Sequence, residues 1–217
     1  MKGLFIKDLI LLKGQAKSLV MIAACGIMMS FTFEKTVAAG YLGILGTMLA
    51  IGTIGYDEFD NGFSFLFTLP IERKTYVREK YLFALSCSAV SILFGSLIAL
   101  ILIWTAGGNE TLQDILLAAV SMAAVSLLFI SVMIPVRIKY NAEKSRTVMY
   151  IFYAAVLVLA FGGAKLIELI GFDYKALIGK LDSMNPYVIL SMLTLAVIAG
   201  AFLSERISES VIMKKEY

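Results

Sequence analysis

The sequence predicts an all-α protein that crosses a lipid bilayer with six transmembrane helices, and two observations support this fold class. First, 60% of the 217 residues are hydrophobic and 16% are charged, with a mean hydropathy of +0.88. A soluble domain is typically about 45–50% apolar and about 25% charged. Second, the apolar residues form long charge-free runs. A run that crosses a bilayer must be helical, because lipid offers the backbone no hydrogen-bonding partner.

A transmembrane helix needs about 20 predominantly apolar residues. Six stretches without a charged residue approach or exceed this length: 18–33, 36–56, 81–109, 115–136, 147–164 and 183–204. The first is slightly short, but Lys17 and Lys35 at its flanks can extend towards the headgroups. A tight turn at Glu34 and Lys35 makes the first two helices a hairpin. We expect Gly107 to end the third helix before its charge-free run ends.

Lysine and arginine are distributed unequally between the two sides of such a bundle. With the N-terminus in the cytoplasm, fifteen of the 19 basic residues fall in cytoplasmic segments and four fall outside. The positive-inside rule therefore predicts that both termini are cytoplasmic. The chain is then a single transmembrane domain over residues 1–217, and its net charge of +3 calls for no nucleic-acid partner.

Three segments of this domain are predicted to lie outside the transmembrane helices. Residues 1–15 are expected to form a helix on the inner membrane surface, although Asp8 falls on its apolar arc. The alternative is that this segment merely continues the first transmembrane helix. Residues 56–80 form the main cytoplasmic insertion, and residues 164–183 are predicted to form short helices at the outer leaflet.

The composition excludes several kinds of chemistry. The chain has no histidine, and its two cysteines, Cys25 and Cys87, lie inside apolar runs, which is typical of buried structural residues. It has no phosphate-binding loop of the G-x-x-x-x-G-K-[ST] type. No ionisable residue lies near the centre of a predicted transmembrane helix, which argues against a proton- or sodium-coupled carrier. We therefore expect no enzymatic activity and no cofactor on this chain.

The cytoplasmic insertion carries the most informative pattern. Four of its apolar residues recur at i, i+4, i+7 and i+8, the spacing of one helical face; they are Phe59, Phe63, Leu66 and Phe67. Three acidic residues are expected in the first turn of this helix, at the positive end of its dipole: Asp57, Glu58 and Asp60. Pro70 ends the helix, and a second helix is predicted to start at Ile71 and to continue into the third transmembrane helix.

This segment resembles the permeases of ABC-2-type exporters. The resemblance rests on Glu58, Gly62, Leu69, Pro70, Ile71, Arg73, Tyr76, Val77, Lys80 and Tyr81, together with the six-helix layout. It is closest to a small six-helix bacterial group that includes the permeases of phenol-soluble-modulin exporters. The four phenylalanines at positions 59, 63, 65 and 67 are more than that pattern leads us to expect. They favour a helix that also dips into the headgroups, and the alternative is that they only anchor it there.

The resemblance implies a multi-pass permease in a bacterial plasma membrane, which exports amphipathic peptides or other lipophilic cargo. It implies a homodimer of this chain with two copies of a separate ABC ATPase, which would hold ATP and magnesium. The insertion would be the coupling helix, with its acids meeting basic groups of the ATPase and its phenylalanines filling an apolar pocket. The alternative function is a non-transporting membrane subunit that senses membrane-active peptides or gives immunity against them.

The predicted transmembrane helices hold two sets of candidate residues. Met21, Met28, Ser88 and Ser91 could line a cargo cavity, and the alternative is ordinary helix packing. A run of small residues in the second helix favours close helix approach, and we expect it at a dimer seam; the run comprises Gly40, Gly43, Gly46 and Thr47.

Overall fold

The computed structural model describes residues 1–58, 62–66, 68–107, 110–140 and 186–214, with seven single positions between 144 and 158. Within these residues the regular structure is entirely α-helical. The helices are α1 (Lys2–Gly14), α2 (Ala16–Thr32), α3 (Val37–Glu58), α4 (Gly62–Leu66), α5 (Arg73–Ala106), α6 (Leu112–Lys139) and α7 (Pro186–Lys214).

Four of these helices, α3, α5, α6 and α7, are long and apolar enough to cross a membrane. A fifth crossing results if α1 and α2, which are bent by 68° at their junction, form one broken span. The charge-free run 147–164 and the outer segment 164–183 lie outside the continuously described residues. The structure therefore confirms a helical bundle with four or five candidate spans, while the sixth span and the sidedness of the termini stay predictions.

The helix ends follow local sequence signals. Gly107 ends α5 with φ = 69°, a left-handed conformation that glycine adopts without strain, and this confirms the predicted stop. Thr111 starts α6 through a capping box: the backbone N–H of Asp114 donates to Thr111 Oγ1, and the Thr111 N–H donates to Asp114 Oδ2 at 2.7 Å.

The predicted hairpin of the first two membrane helices is confirmed, because residues 33–36 turn the chain between α2 and α3, which pack on one another. This turn is tied to the connection between α5 and α6. The backbone N–H of Lys35 donates to Glu110 Oε1 at 3.0 Å, and this hydrogen bond holds the pKa of Glu110 below its usual value.

α3 lies at the centre of the bundle and packs closely on α5. A Cβ added to Gly95 of α5 would lie 2.6 Å from the Ala38 carbonyl oxygen and 2.7 Å from Ala39 Cα. Gly46 of α3 is equally crowded, with a Cβ position 1.9 Å from Ser91 Oγ. The small-residue face of α3 is therefore used inside the chain, which makes its predicted place at a dimer seam wrong.

α6 continues through Pro135, and α7 compensates for the hydrogen bond that proline cannot make. Because Pro135 has no N–H, the carbonyl of Ser131 one turn earlier loses its helical donor. The hydroxyl of Ser204 on α7 donates to that carbonyl, and Tyr81 on α5 lies 2.6 Å from the same Ser204 oxygen. Three helices are thereby joined by polar contacts inside the bundle.

The buried apolar side chains gather at the end of the bundle where α3, α4 and α5 meet. The core there includes Leu4 of α1, Ile54 of α3, Phe63 of α4, Phe83 of α5 and Ile134 of α6. Elsewhere many large apolar side chains face outward, and Trp104 is 92% exposed. Such continuous exposed apolar surface is typical of helices in contact with lipid.

Candidate functional site

The predicted coupling segment is divided between three helices in the structure. Asp57 and Glu58 form the last turn of α3, and α4 begins only at Gly62. The prediction that these two acids start a new helix, and so benefit from its positive end, is therefore wrong. Phe59, Asp60 and Phe67 lie outside the described residues. The second predicted helix is present as α5, which runs without a break from Arg73 to Ala106.

Asp57 points into the protein, where it has three partners. Tyr76 Oη donates to Asp57 Oδ2 at 2.9 Å, and Lys80 Nζ lies 2.7 Å from the same oxygen. Lys7 of α1 donates to Asp57 Oδ1. Asp57 is therefore buried and fully paired within the chain, which does not fit the predicted role of an exposed acid that meets basic groups on a partner.

The same two lysines also hold Asp8, so four charged residues form a closed ring. Lys80 Nζ pairs with Asp8 Oδ2, and Lys7 Nζ lies 3.3 Å from Asp8 Oδ1. Each lysine thus contacts both aspartates. We call this set, Lys7, Asp8, Asp57 and Lys80, the internal charge ring. It joins α1, the end of α3 and the start of α5.

Because the ring is largely buried, its charged groups lose hydration. This cost is offset only if the charges balance. Asp8 is fully buried and Lys80 is 2% exposed. Removing ions from water is costly, and attraction offsets that cost only when geometry is good and every charge is compensated. Two positive and two negative charges cancel here, and Lys80 Nζ also donates to Thr53 Oγ1 at 3.2 Å.

Sequence reasoning did not find the ring, although it contained one signal. Asp8 interrupts the apolar arc of α1, and an acid in such a position is expensive unless a buried base meets it. In the structure that base is Lys80, 72 residues further along the chain. The aspartate that looked like a flaw in the amphipathic pattern is a specific anchor for α1.

The motif residues of α5 form a stripe that holds this helix in the bundle. Arg73, Tyr76, Val77, Lys80 and Tyr81 recur at i, i+3, i+4, i+7 and i+8, which places them on one helical face. Arg73 Nη1 donates to the Ile212 carbonyl near the end of α7 at 3.2 Å, and Tyr81 contacts Ser204 and Ser208. The residues of α5 that carry the resemblance are therefore packing and hydrogen-bonding residues within this chain.

A second ionic contact fixes the other side of α5. Arg78 Nε lies 3.0 Å from Glu209 Oε1 and 3.6 Å from Glu205 Oε1, both on α7. The neighbouring Glu79 is buried, and neither of its carboxylate oxygens has a hydrogen-bonding partner among the residues that the structure describes. The start of α5 is thus held on one side by α1 and α3 and on the other by α7.

The two described phenylalanines of α4 face opposite ways. Phe63 is 3% exposed and contacts the Tyr76 ring edge-on, with 5.7 Å between the ring centroids. Phe65 is 71% exposed. Phe63 is therefore part of the core and not available to fill a pocket on a partner in this conformation. Among the described residues around α4, the outward surface includes Phe65, Thr68, Leu69 and Pro70, while Ile71 packs against the core.

The candidate cavity residues are only partly brought together. A cavity of about 160 Å³ lies between α2, α3 and α5, and Ser91 and Phe94 are among its lining residues. Ser88 is buried in the bundle, whereas Met21 and Met28 are 66% and 71% exposed on α2 and do not line this cavity. Two larger apolar grooves, each of about 440 Å³, lie between α3 and α6 and between α6 and α7.

Comparison with known proteins gives one match. A family model described as "ABC-2 family transporter protein" matches residues 3–211, which is nearly the whole chain. No curated protein matches at a significant level, and no solved structure does.

Proposed function

The chain belongs to the ABC-2 transporter family, and from this premise we propose that it is the permease of an ATP-driven exporter in a bacterial plasma membrane. The membership itself supports a multi-pass permease subunit with an ABC ATPase partner. Export, the kind of cargo and the composition of the complex are our proposal.

ATP hydrolysis belongs to a separate subunit in this proposal. The sequence contains no G-x-x-x-x-G-K-[ST] loop to cradle nucleotide phosphates. Six predicted membrane helices are half of what an exporter of this type uses, so the proposed complex contains two copies of this chain and two ATPase subunits. Amphipathic peptides are the proposed cargo, supported by the resemblance to phenol-soluble-modulin exporters and by the apolar grooves of the bundle.

The observation that carries the proposal is the arrangement of α4 between α3 and α5. This short helix exposes Phe65 on one side and inserts Phe63 against Tyr76 on the other. A partner that binds the exposed side would therefore push Phe63 against Tyr76, whose hydroxyl donates to Asp57 of the internal charge ring. We propose that the exposed surface of Phe65, Thr68 and Leu69 contacts the ATPase.

The test is to purify the chain with the ABC ATPase of its own genome and to measure ATP hydrolysis in vesicles with amphipathic peptides. Phe65→Ala is expected to weaken assembly about thirtyfold, since truncating a buried aromatic anchor at an interface commonly costs about 2 kcal/mol. Trp104→Ala is the matched control, because Trp104 is an exposed aromatic near the opposite end of α5.

Two results would contradict the proposal. Assembly that is equally insensitive to Phe65→Ala and Trp104→Ala would show that α4 does not contact the ATPase. ATP hydrolysis that no peptide or lipid stimulates would favour a non-transporting sensor or immunity subunit.

A further inference from the structure

The internal charge ring is divided evenly between two parts of the protein. α1 contributes one base and one acid, Lys7 and Asp8, and the junction of α3 and α5 contributes one acid and one base, Asp57 and Lys80. The ring residues of each part therefore carry no net charge, and Glu79 on α5 lies outside the ring. Two of the four ion pairs lie within a part, and the other two, Lys7–Asp57 and Lys80–Asp8, cross between the parts.

This division determines what happens to the charges when α1 moves. Breaking an ordinary buried ion pair leaves each helix with an uncompensated charge, which is strongly unfavourable. Here Lys7 keeps Asp8, which is its neighbour in sequence, and Lys80 keeps Asp57 at 2.7 Å. When α1 leaves α3 and α5, each of the four ring residues therefore keeps one ion-pair partner. α1 can later return to the same partners.

Undocking of α1 would also break one hydrogen bond and some apolar packing. Thr53 Oγ1 of α3 donates to Asp8 Oδ2 at 3.2 Å, Leu4 is buried, Leu12 packs against the core, and Phe5 packs edge-on against Phe83 with 5.1 Å between the ring centroids. Ile6 and Ile10 on the opposite side are more than half exposed. α1 joins α2 through Gln15 at a bend of 68°, and this bend is the point about which α1 would pivot. No neighbouring atom crowds the Cβ position of Gly14, and the side chain of Gln15 donates to Tyr56 Oη at 3.2 Å.

We propose that the internal charge ring is a latch from which α1 undocks and to which it returns during the transport cycle. The inference rests on the proposed function for its trigger: movement of α4 displaces Tyr76 through Phe63, and Tyr76 donates a hydrogen bond to Asp57 at 2.9 Å. The charge division that makes undocking feasible is a property of this chain alone.

The first test uses the full chain alone in lipid vesicles, with Cys25→Ser and Cys87→Ser as background. Leu4→Cys reports undocking, because Leu4 lies on the buried side of α1, and Leu9→Cys is the exposed control on the same helix. The double variant Asp57→Lys with Lys80→Asp exchanges the two charges of one part. Lys7 then faces a lysine and Asp8 faces an aspartate, while the ring residues of each part still carry no net charge. We expect thiol labelling at position 4 to rise about tenfold, as a shift of about 1.4 kcal/mol in the docking equilibrium gives.

Exchanging the charges of α1 as well, by Lys7→Asp with Asp8→Lys, restores alternation and is expected to restore protection of position 4. If the fourfold exchange leaves position 4 as reactive as the twofold one, the latch is wrong. Equal protection in all variants, with position 9 labelled normally, would also overturn it. These outcomes do not depend on an ATPase.

The second test adds the ABC ATPase and compares labelling with ATP present and absent. Increased labelling of Leu4→Cys during hydrolysis supports the latch, and constant protection during active hydrolysis overturns its role in the cycle. Failure of any ATPase to bind the chain contradicts the proposed function instead. The charge-exchange test uses the chain alone, so its result would still decide whether the latch exists.

Discussion

The effect of a single buried acid on the stability of this bundle depends on whether the acid has a partner. Asp57 and Glu79 are both buried acids close to Lys80, but their surroundings differ. Asp57 accepts from Tyr76 and pairs with two lysines, whereas Glu79 has no hydrogen-bonding partner within the described part of the chain. Burial costs both carboxylates their hydration. Asp57 regains hydrogen bonds and ion pairs, whereas Glu79 regains only electrostatic attraction to Lys80 and Lys7.

This contrast predicts opposite effects of two conservative substitutions. Asp57→Asn should destabilise the purified chain by about 3 kcal/mol or more, because it leaves the ring with two lysines and one aspartate. Glu79→Gln should leave the thermal unfolding temperature unchanged or raise it, because it removes a buried charge that has no hydrogen-bonding partner within the described residues. Thermal unfolding in one detergent measures both. A loss in Glu79→Gln equal to that in Asp57→Asn would contradict this account.

At the scale of elements, two packing features matter most: the insertion of α4 into the core and the close contact between α3 and α5. α4 is five residues long and cannot be stable alone, so it depends on the insertion of Phe63 and Leu66 into the core. The close approach of α3 and α5 depends on glycines, because any side chain at Gly95 would meet the backbone of α3.

The two phenylalanines of α4 should therefore respond differently to truncation. Phe63→Ala should lower the stability of the permease alone by about 3–5 kcal/mol, the usual range for a buried phenylalanine. Phe65→Ala should leave that stability within about 0.5 kcal/mol, since the side chain is exposed. Chemical unfolding of the two variants without ATPase makes the measurement. Equal stability of both variants would mean that Phe63 is not a core residue.

Glycine substitutions test the helix packing with a matched control. Gly95→Ala should destabilise the bundle by about 1–3 kcal/mol, because its Cβ would overlap the Ala38 carbonyl and Ala39 Cα. Gly52→Ala on α3 has open space and should be neutral or stabilising by up to about 1 kcal/mol, since alanine favours helix. Thermal unfolding distinguishes them, and equal effects would refute the predicted close approach.

At the scale of the whole molecule, the charges at the ends of the helices are predicted to set its orientation in the membrane. In the predicted six-helix topology, fifteen basic residues fall on the side of the termini and four on the other side. The internal charge ring and the Arg78–Glu209 pair lie at the end of the bundle that this distribution assigns to the cytoplasm. An ATPase that binds α4 would therefore act on the end of the bundle where these ion pairs join the helices.

Cysteine labelling in intact cells tests this orientation. In the background without Cys25 and Cys87, cysteines at Gly108 and Asp173 should react with an impermeant reagent added outside. Cysteines at Asn141 and Lys215 should stay unlabelled until the membrane is opened, because their segments carry the basic residues that are retained inside. Protection at position 108 would contradict the six-helix topology.

The sequence by itself determined the class of the protein and the positions of the long helices that the structure describes. Charge-free runs predicted α2, α3, α5, α6 and α7, and the glycine stop at Gly107 was correct, because both depend on interactions within one helix or with lipid. Only the tertiary structure decided which way the side chains of the coupling segment point. Asp57 and Phe63 turn inward to meet partners on other helices. These partners are not visible in the local pattern: Lys7, for example, lies 50 residues before Asp57. Helical periodicity places residues on a face, but the helix that covers this face depends on the packing of the whole chain.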